Sequence, residues 1–189
     1  MAVDPGQRTS DFCGSVVFAH SVHRNVPPES DSGPFGGALL VDLMVASEAF
    51  PFAKTGGLGD VLGALPSALR RLGHEVTVVI ARYRDVDVAG AVSQRLEMSM
   101  GDRAFSLGLA EVEGVAGERV VLVECEELYD RNGLYGNEGL DYTDNAVRFG
   151  VLCRAALEYA SGLEILPSVV HAHDWQAGLV PVILRTEHS

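Results

Sequence analysis

Apolar positions along the chain change their spacing from one segment to the next, and the spacings predict alternating strands and helices. Residues 38–46 form a nearly continuous apolar run broken by Asp42, the pattern of a strand covered on both faces. A glycine-rich turn, Lys54-Thr55-Gly56-Gly57, comes next. Beyond it Leu58, Val61, Leu62, Leu65, Leu69 and Leu72 recur at helical spacing and mark one apolar face. Pro66 lies inside that helix and predicts a kink, while Gly73 is placed to cap its C-terminus. Glu75–Ala81 is a β-branched strand. The strand–helix–strand unit predicts a right-handed crossover and a parallel sheet.

The middle of the chain predicts antiparallel pairing. Residues 94–100, 103–111 and 119–124 alternate or cluster apolar side chains, with turn signals at Gly101-Asp102 and between Gly114 and Gly117. Residues 142–160 carry a helical apolar stripe opened by Thr143-Asp144. Residues 168–172 read as a buried strand running into His173-Asp174, and residues 175–186 as a last helix. The class is α/β. Residues 1–37 differ, because prolines, glycines and serines interrupt any periodicity. They read as a poorly ordered extension in which only residues 16–19 suit an isolated strand. An upstream start site ahead of Met44 explains that extension equally well, leaving residues 38–189 as the domain.

Composition narrows the function. The 189 residues, 47% of them hydrophobic, supply one core of ordinary size and exclude a wholly disordered chain. Fourteen Lys+Arg against 26 Asp+Glu give a net charge of -12, so the long-range field repels nucleic acid and anionic membrane. No apolar run reaches about 18 residues, and no membrane span is expected. The start shows no basic residues leading into an apolar stretch, so no secretory signal is evident. Cys13, Cys125 and Cys153 form no even disulfide framework. They are expected to be free thiols in a reducing compartment, with the cytoplasm as the location.

Three places suit chemistry. In the glycine-rich turn, Lys54, Thr55, Gly56, Gly57 and Gly59 lie between a buried strand and a helix start. Backbone amides, the helix dipole and one ammonium together suit a diphosphate. A tight turn with a solvated lysine fits the same spacing, and the lysine precedes the glycines, unlike a Walker loop. In the second place, His171 and His173 share one strand face, with Asp174 able to cap the next helix. A polar ligand such as a sugar, a structural histidine pair, or a metal each accommodates that pattern, though no metal-ligand spacing is present and none is expected. The third is a polar, aromatic segment from Tyr129 to Asn145, including Asp130-Arg131-Asn132-Gly133-Leu134-Tyr135-Gly136. Its length suits a binding loop or a surface connection.

Four ordered stretches then carry a family likeness. Met44-Val45-Ala46-Ser47-Glu48 leads through Phe50-Pro51 to Lys54-Thr55-Gly56-Gly57-Leu58-Gly59-Asp60-Val61. Gly133-Leu134-Tyr135-Gly136, Asp141-Tyr142-Thr143-Asp144-Asn145 with Arg148-Phe149, and His171-Ala172-His173-Asp174-Trp175 follow. Over residues 39–186 the chain closely resembles the N-terminal part of bacterial glycogen synthases and plant starch synthases. The resemblance implies a Rossmann-like lobe of a twin-Rossmann (GT-B type) glycosyltransferase. Such enzymes transfer glucose with retention from ADP-glucose to the non-reducing end of an α-1,4-glucan. They need no metal and no cofactor, ADP-glucose being a co-substrate.

By the same resemblance, Lys54, Thr55 and the amides of Gly56 and Gly57 face the donor diphosphate. Asp60 lines the glucose or acceptor side, Asp144 and Asn145 lie near the cleft, and His173 holds the transferred glucose as the catalytic candidate. Family members run to more than twice this length, and their C-terminal lobe supplies most of the nucleotide pocket. An incomplete lobe, inactive alone, is therefore expected. Ala81 also stands before Arg82-Tyr83 where the family usually has proline. A related glucosyltransferase with another donor or product, and a non-catalytic carbohydrate- or nucleotide-binding fragment, are the rival readings. Oligomeric state is not legible.

Overall fold

Three segments whose side chains, apart from those at their ends, are buried in protein sit side by side at the centre of the molecule. A computed structural model describes residues 15–18, 39–87, 89 and 91–187. The central strands are β2 (Val41–Val45), β3 (Glu75–Ala81) and β6 (Arg119–Glu124). Leu43, Met44, Val45, Val79, Ile80, Val121 and Leu122 are wholly buried, as expected of a parallel sheet covered on both faces. The other strands are β1 (Ser15–Phe18), β4 (Val92–Met100), β5 (Arg103–Glu113) and β9 (Val169–His173), with a small hairpin of β7 (Gly136–Asn137) and β8 (Leu140–Asp141). Helices are α1 (Gly57–Arg71), α2 (Glu126–Tyr129), α3 (Asn145–Ser161) and α4 (Val180–Glu187).

The seven-stranded sheet runs β1-β9-β2-β3-β6-β5-β4. β9, β2, β3 and β6 are mutually parallel, whereas β5 pairs antiparallel with β6 and β4 antiparallel with β5. At the start of β5 one face is covered: Phe105 and Leu107 are buried and Ser106 between them is exposed. The antiparallel middle read from the alternation is therefore present. From β2 the chain builds outward through β3 in one direction and later returns to lay β9 on the other side. The strand order thus reverses between β2 and β9, the position at which open α/β sheets bind ligands beyond their carboxyl ends.

Several expectations are corrected in detail. Residues 1–14 and 19–38, all of the expected extension but its short strand, lie outside the described residues. The short strand within it is not isolated, because β1 pairs antiparallel with β9, Ser15 opposite His173. Pro66 lies buried inside α1 and does not end it. The expected last helix is divided: a 3-10 turn, Trp175–Ala177, closes at Gly178, whose N–H donates to the Trp175 carbonyl, and α4 starts separately. Pro181 permits that start, lying in a first turn where its missing N–H has no intrahelical partner to lose. α3 is buried nearly all round, since it packs on β2, β3 and β4 and is itself covered by the Trp175 turn and α4. Among the described residues no helix is long and apolar enough to cross a membrane.

Gly73 does close α1 as read. Its N–H donates to the Arg70 carbonyl, that of His74 reaches Leu69, and φ is 95° at the glycine, a left-handed helix end that disfavours a Cβ. A Cβ at Gly73 meets no atom within 4 Å, so only backbone strain opposes it. Gly73→Ala is expected to lower stability by about 1–2 kcal/mol in urea unfolding, with an unchanged denaturant slope.

Candidate active site

β2 and β9 end side by side, with Val45 opposite Ala172, so the segments that leave them meet above the sheet. The segment leaving β2 folds back on itself: the Ala53 N–H donates to the Ala49 carbonyl, and the Phe50 N–H to that of Gly59. A Cβ at Gly59 would lie 2.9 Å from Lys54 Cγ and 3.2 Å from the Ala53 carbonyl oxygen. Glycine there lets the helix start press against the lysine stem.

Glu48 holds this turn. Its Oε2 accepts from the N–H of Thr55 at 2.7 Å and of Gly56 at 3.2 Å, while Oε1 accepts from Thr55 Oγ1 at 2.6 Å. Tyr135, 87 residues away in sequence, donates its hydroxyl to the same Oε1 at 2.5 Å. Burial raises the carboxyl pKa, but these hydrogen bonds together outweigh it and hold Glu48 below the usual carboxylate value. Burial, then the bond to Glu48, pushes the Tyr135 phenol well up. Ser47 Oγ lies 2.8 Å from the same phenol, and Tyr83 donates to the Ser47 carbonyl at 2.9 Å.

The Gly56 amide donates to the Glu48 carboxylate in this structure. Thr55 is occupied on both its N–H and its hydroxyl. Gly57, the first residue of α1, stands differently. A Cβ built at Gly56 or Gly57 would meet nothing within 4 Å, so the approach to this helix end is open. Lys54 and Asp60 face solvent, 44% and 63% exposed, and pair with each other at 2.6 Å.

On the β9 side, His171 and His173 stack with ring centroids 3.9 Å apart, as their alternation predicts. His173 is fully buried. Burial, reinforced by His171, lowers its pKa to about 3, and burial lowers His171 too. Both rings are neutral near pH 7. Asp174 then turns at φ 61°, ψ −177°, and its carboxylate accepts from the Trp175 N–H at 2.7 Å. The expected cap is present, on the 3-10 turn. Such a backbone is costly for a residue with a Cβ, and strain of this kind concentrates at functional sites. It delivers the Trp175 indole, 56% exposed, beside Tyr135 at 6.4 Å and Phe149 at 5.3 Å.

Asp144 and Asn145 serve the loop that brings Tyr135. Asp144 accepts from both terminal nitrogens of Arg131 at 2.8 and 2.7 Å, so its side chain does not cap α3. Asn145 donates to the Tyr135 carbonyl at 2.8 Å. Among the described residues no group of three His, Cys, Asp or Glu could hold a metal. Reading by motif assigned no role to Glu48 and placed Tyr135 only in a loop whose tyrosines suit carbohydrate hydroxyls. An acidic residue just past an apolar strand was the one available signal for the former.

The model of the starch synthase catalytic domain matches residues 43–189. The chain belongs to the starch synthase catalytic-domain family. It is 42% identical over 150 residues to glycogen synthase 2 of Geobacter sulfurreducens, covering 77% of this chain and 31% of that protein. With the glycogen synthase of Anaeromyxobacter dehalogenans it shares 46% over 148 residues, 78% of this chain and 31% of the relative. The catalytic domain of starch synthase IV from Arabidopsis thaliana, solved with ADP and acarbose, superimposes with a TM-score of 0.71 at 26% identity, over 79% of this chain and 31% of that one. The chain therefore spans about a third of the length of these relatives, and its fold is part of the N-terminal lobe of a GT-B glycosyltransferase.

The buried imidazole makes folding pH-dependent. An unfolded histidine titrates near 6.5, so the unfolded chain takes up a proton that folded His173 refuses until about 3. This stabilisation is whole above pH 6.5 and is lost as pH falls toward 3, by up to about 1.4 kcal/mol per pH unit for one group. In His173→Gln the slope of unfolding free energy between pH 6.5 and 5 is expected to be smaller than in the parent. Equal slopes would show that His173 titrates as an ordinary histidine.

Proposed function

We propose that this chain is part of the N-terminal catalytic lobe of an ADP-glucose-dependent glycogen synthase. The reaction transfers glucose, with retention, to the non-reducing end of an α-1,4-glucan in glycogen biosynthesis. The observation that carries this reading is the meeting, at the β2/β9 reversal, of an open glycine-turned helix start with a buried neutral imidazole. ADP in the related Arabidopsis domain supports a nucleotide donor.

The donor diphosphate lies at the start of α1, where first-turn amides from Gly57 onward and the helix dipole favour negative charge. Lys54 adds an ammonium. Its exposed pair with Asp60 is worth at most about 1 kcal/mol, less than the roughly 1.5–3 kcal/mol of a hydrogen bond to a charged group, so a diphosphate draws the lysine over. Asp60 is thereby released toward the glucose or acceptor side, and Thr55 and Gly56 shape the turn through Glu48. His173, neutral, orients the transferred glucose at its reacting carbon. Asp144 and Asn145 act on the cleft through the loop they brace.

A donor phosphate oxygen serves as base, which leaves the protein positioning and charge stabilisation. Neither metal nor cofactor takes part. The buried free thiols of Cys125 and Cys153 suit a reducing cytoplasm. With about a third of a relative's length, the isolated chain binds sugar nucleotide weakly and does not turn over. Turnover by it alone overturns that part of the reading.

Joined to the second lobe of the Anaeromyxobacter relative, the chain is expected to transfer glucose from ADP-glucose. In that enzyme Lys54→Ala should weaken the donor constant about 10- to 100-fold, the loss of one charge-assisted contact. An unchanged constant removes Lys54 from the diphosphate. His173→Ala should lower kcat more than donor affinity, and an unaltered rate takes His173 out of the site.

A further inference from the structure

One wholly buried cation has no role in the chemistry above. Arg148 lies one turn into α3 with 0% exposure, and no carboxylate forms an ion pair with it among the described residues. Asp144, the nearest candidate in sequence, is held by Arg131. Nε and Nη1 instead donate to the ends and middle of one loop, while the buried Nη2 has no hydrogen-bond partner among the described residues. Nε donates to the Leu128 carbonyl at 2.7 Å, and Nη1 to the Leu134 carbonyl at 2.9 Å and to Asn145 Oδ1 at 2.7 Å. Leu128 stands before the loop, Leu134 immediately before Tyr135, and Asn145 where α3 begins. Aromatic rings flank the charge, Tyr142 at 4.9 Å and Phe149 at 5.4 Å from Cζ. The Tyr129 hydroxyl returns a bond to the Arg148 carbonyl at 2.8 Å.

Burying a guanidinium costs several kcal/mol before compensation, and an aliphatic side chain would fill the same space without that cost. What an aliphatic or an ammonium cannot reproduce is a rigid planar fork reaching acceptors in different directions. We infer that Arg148 is a positioning residue: by tying Leu128, Leu134 and Asn145 to one guanidinium it fixes the loop of residues 130–144 and so sets Tyr135 against Glu48 and Trp175. The inference concerns the placement of Tyr135. It stands apart from the donor reading, because its test needs no ligand.

Trp175 is the chain's only tryptophan, and Tyr135 packs beside it, so its fluorescence reports the loop. Hydrogen exchange by mass spectrometry reports the same segment through amides such as Tyr142 N–H, bonded to the Tyr135 carbonyl. Arg148→Lys keeps the charge and most of the volume but loses the fork. It is expected to speed exchange across residues 130–144 about tenfold or more, as local opening becomes easier. Acrylamide quenching of Trp175 should rise, while β2, β3 and β6 exchange as in the parent. Arg148→Met, which leaves three acceptors unpaired, should extend both effects in the same segment. Parent-like exchange and quenching in Arg148→Lys would overturn the inference. So would an equal acceleration of loop and sheet, or a Lys variant that does not fold, since either makes Arg148 a support of the whole core.

Discussion

The carboxylate of Glu48 accepts from two backbone amides and a hydroxyl in the glycine turn with one hand and from the Tyr135 phenol with the other. A buried carboxylate is tolerated only when hydrogen bonds replace its hydration, and here the partners come from two distant segments. Each segment therefore satisfies the charge only if the other is in place. That mutual dependence makes the turn and the loop one object, and the rest of the site is arranged around it. It also sets the start of α1: the amides of Thr55 and Gly56 build the turn, and the space beside Gly57 is empty.

Sheet topology supplies the place for this object. Strands covered on both faces have no room for ionisable groups along their length, so polar chemistry is displaced to their carboxyl ends. The reversal of order between β2 and β9 marks the place where open α/β sheets bind ligands. Asp42 in β2 and His171 and His173 in β9 are exceptions within strands, and His173 is the most deeply buried of them. It is kept neutral by burial and by its stacked neighbour, and so costs the fold little above pH 6.5.

Much of this was legible in the chain. The residues from 41 to 81 announced a strand, a glycine turn, a capped helix and a second strand through the switch from continuous apolar run to helical spacing, and those elements are present within a few residues. Local rules failed where a side chain had a better partner far away. Asp144 has the residue type and position of a helix cap, yet Arg131 offers it a bidentate ion pair. Residues 175–186 have helical spacing, yet the 3-10 turn closing at Gly178 divides them. Glu48, Tyr135 and Arg148 stood inside recognised motifs without any sign of acting on one another, since nothing in a spacing of 87 residues encodes a hydrogen bond.

By itself, then, the sequence determined the α/β class, the order of most elements, the open glycine turn and the paired histidines. All of these follow from side-chain periodicity and backbone freedom, which are properties of neighbours along the chain. Only the tertiary structure decided which strands lie side by side, that β1 joins β9 rather than standing alone, and that the Gly56 amide donates to Glu48. It also decided that a buried guanidinium carries Tyr135 into place. These outcomes depend on which groups are close enough in space to share a proton donor or replace lost hydration, and that proximity exists only once the sheet has brought residues 48, 135, 148 and 173 together.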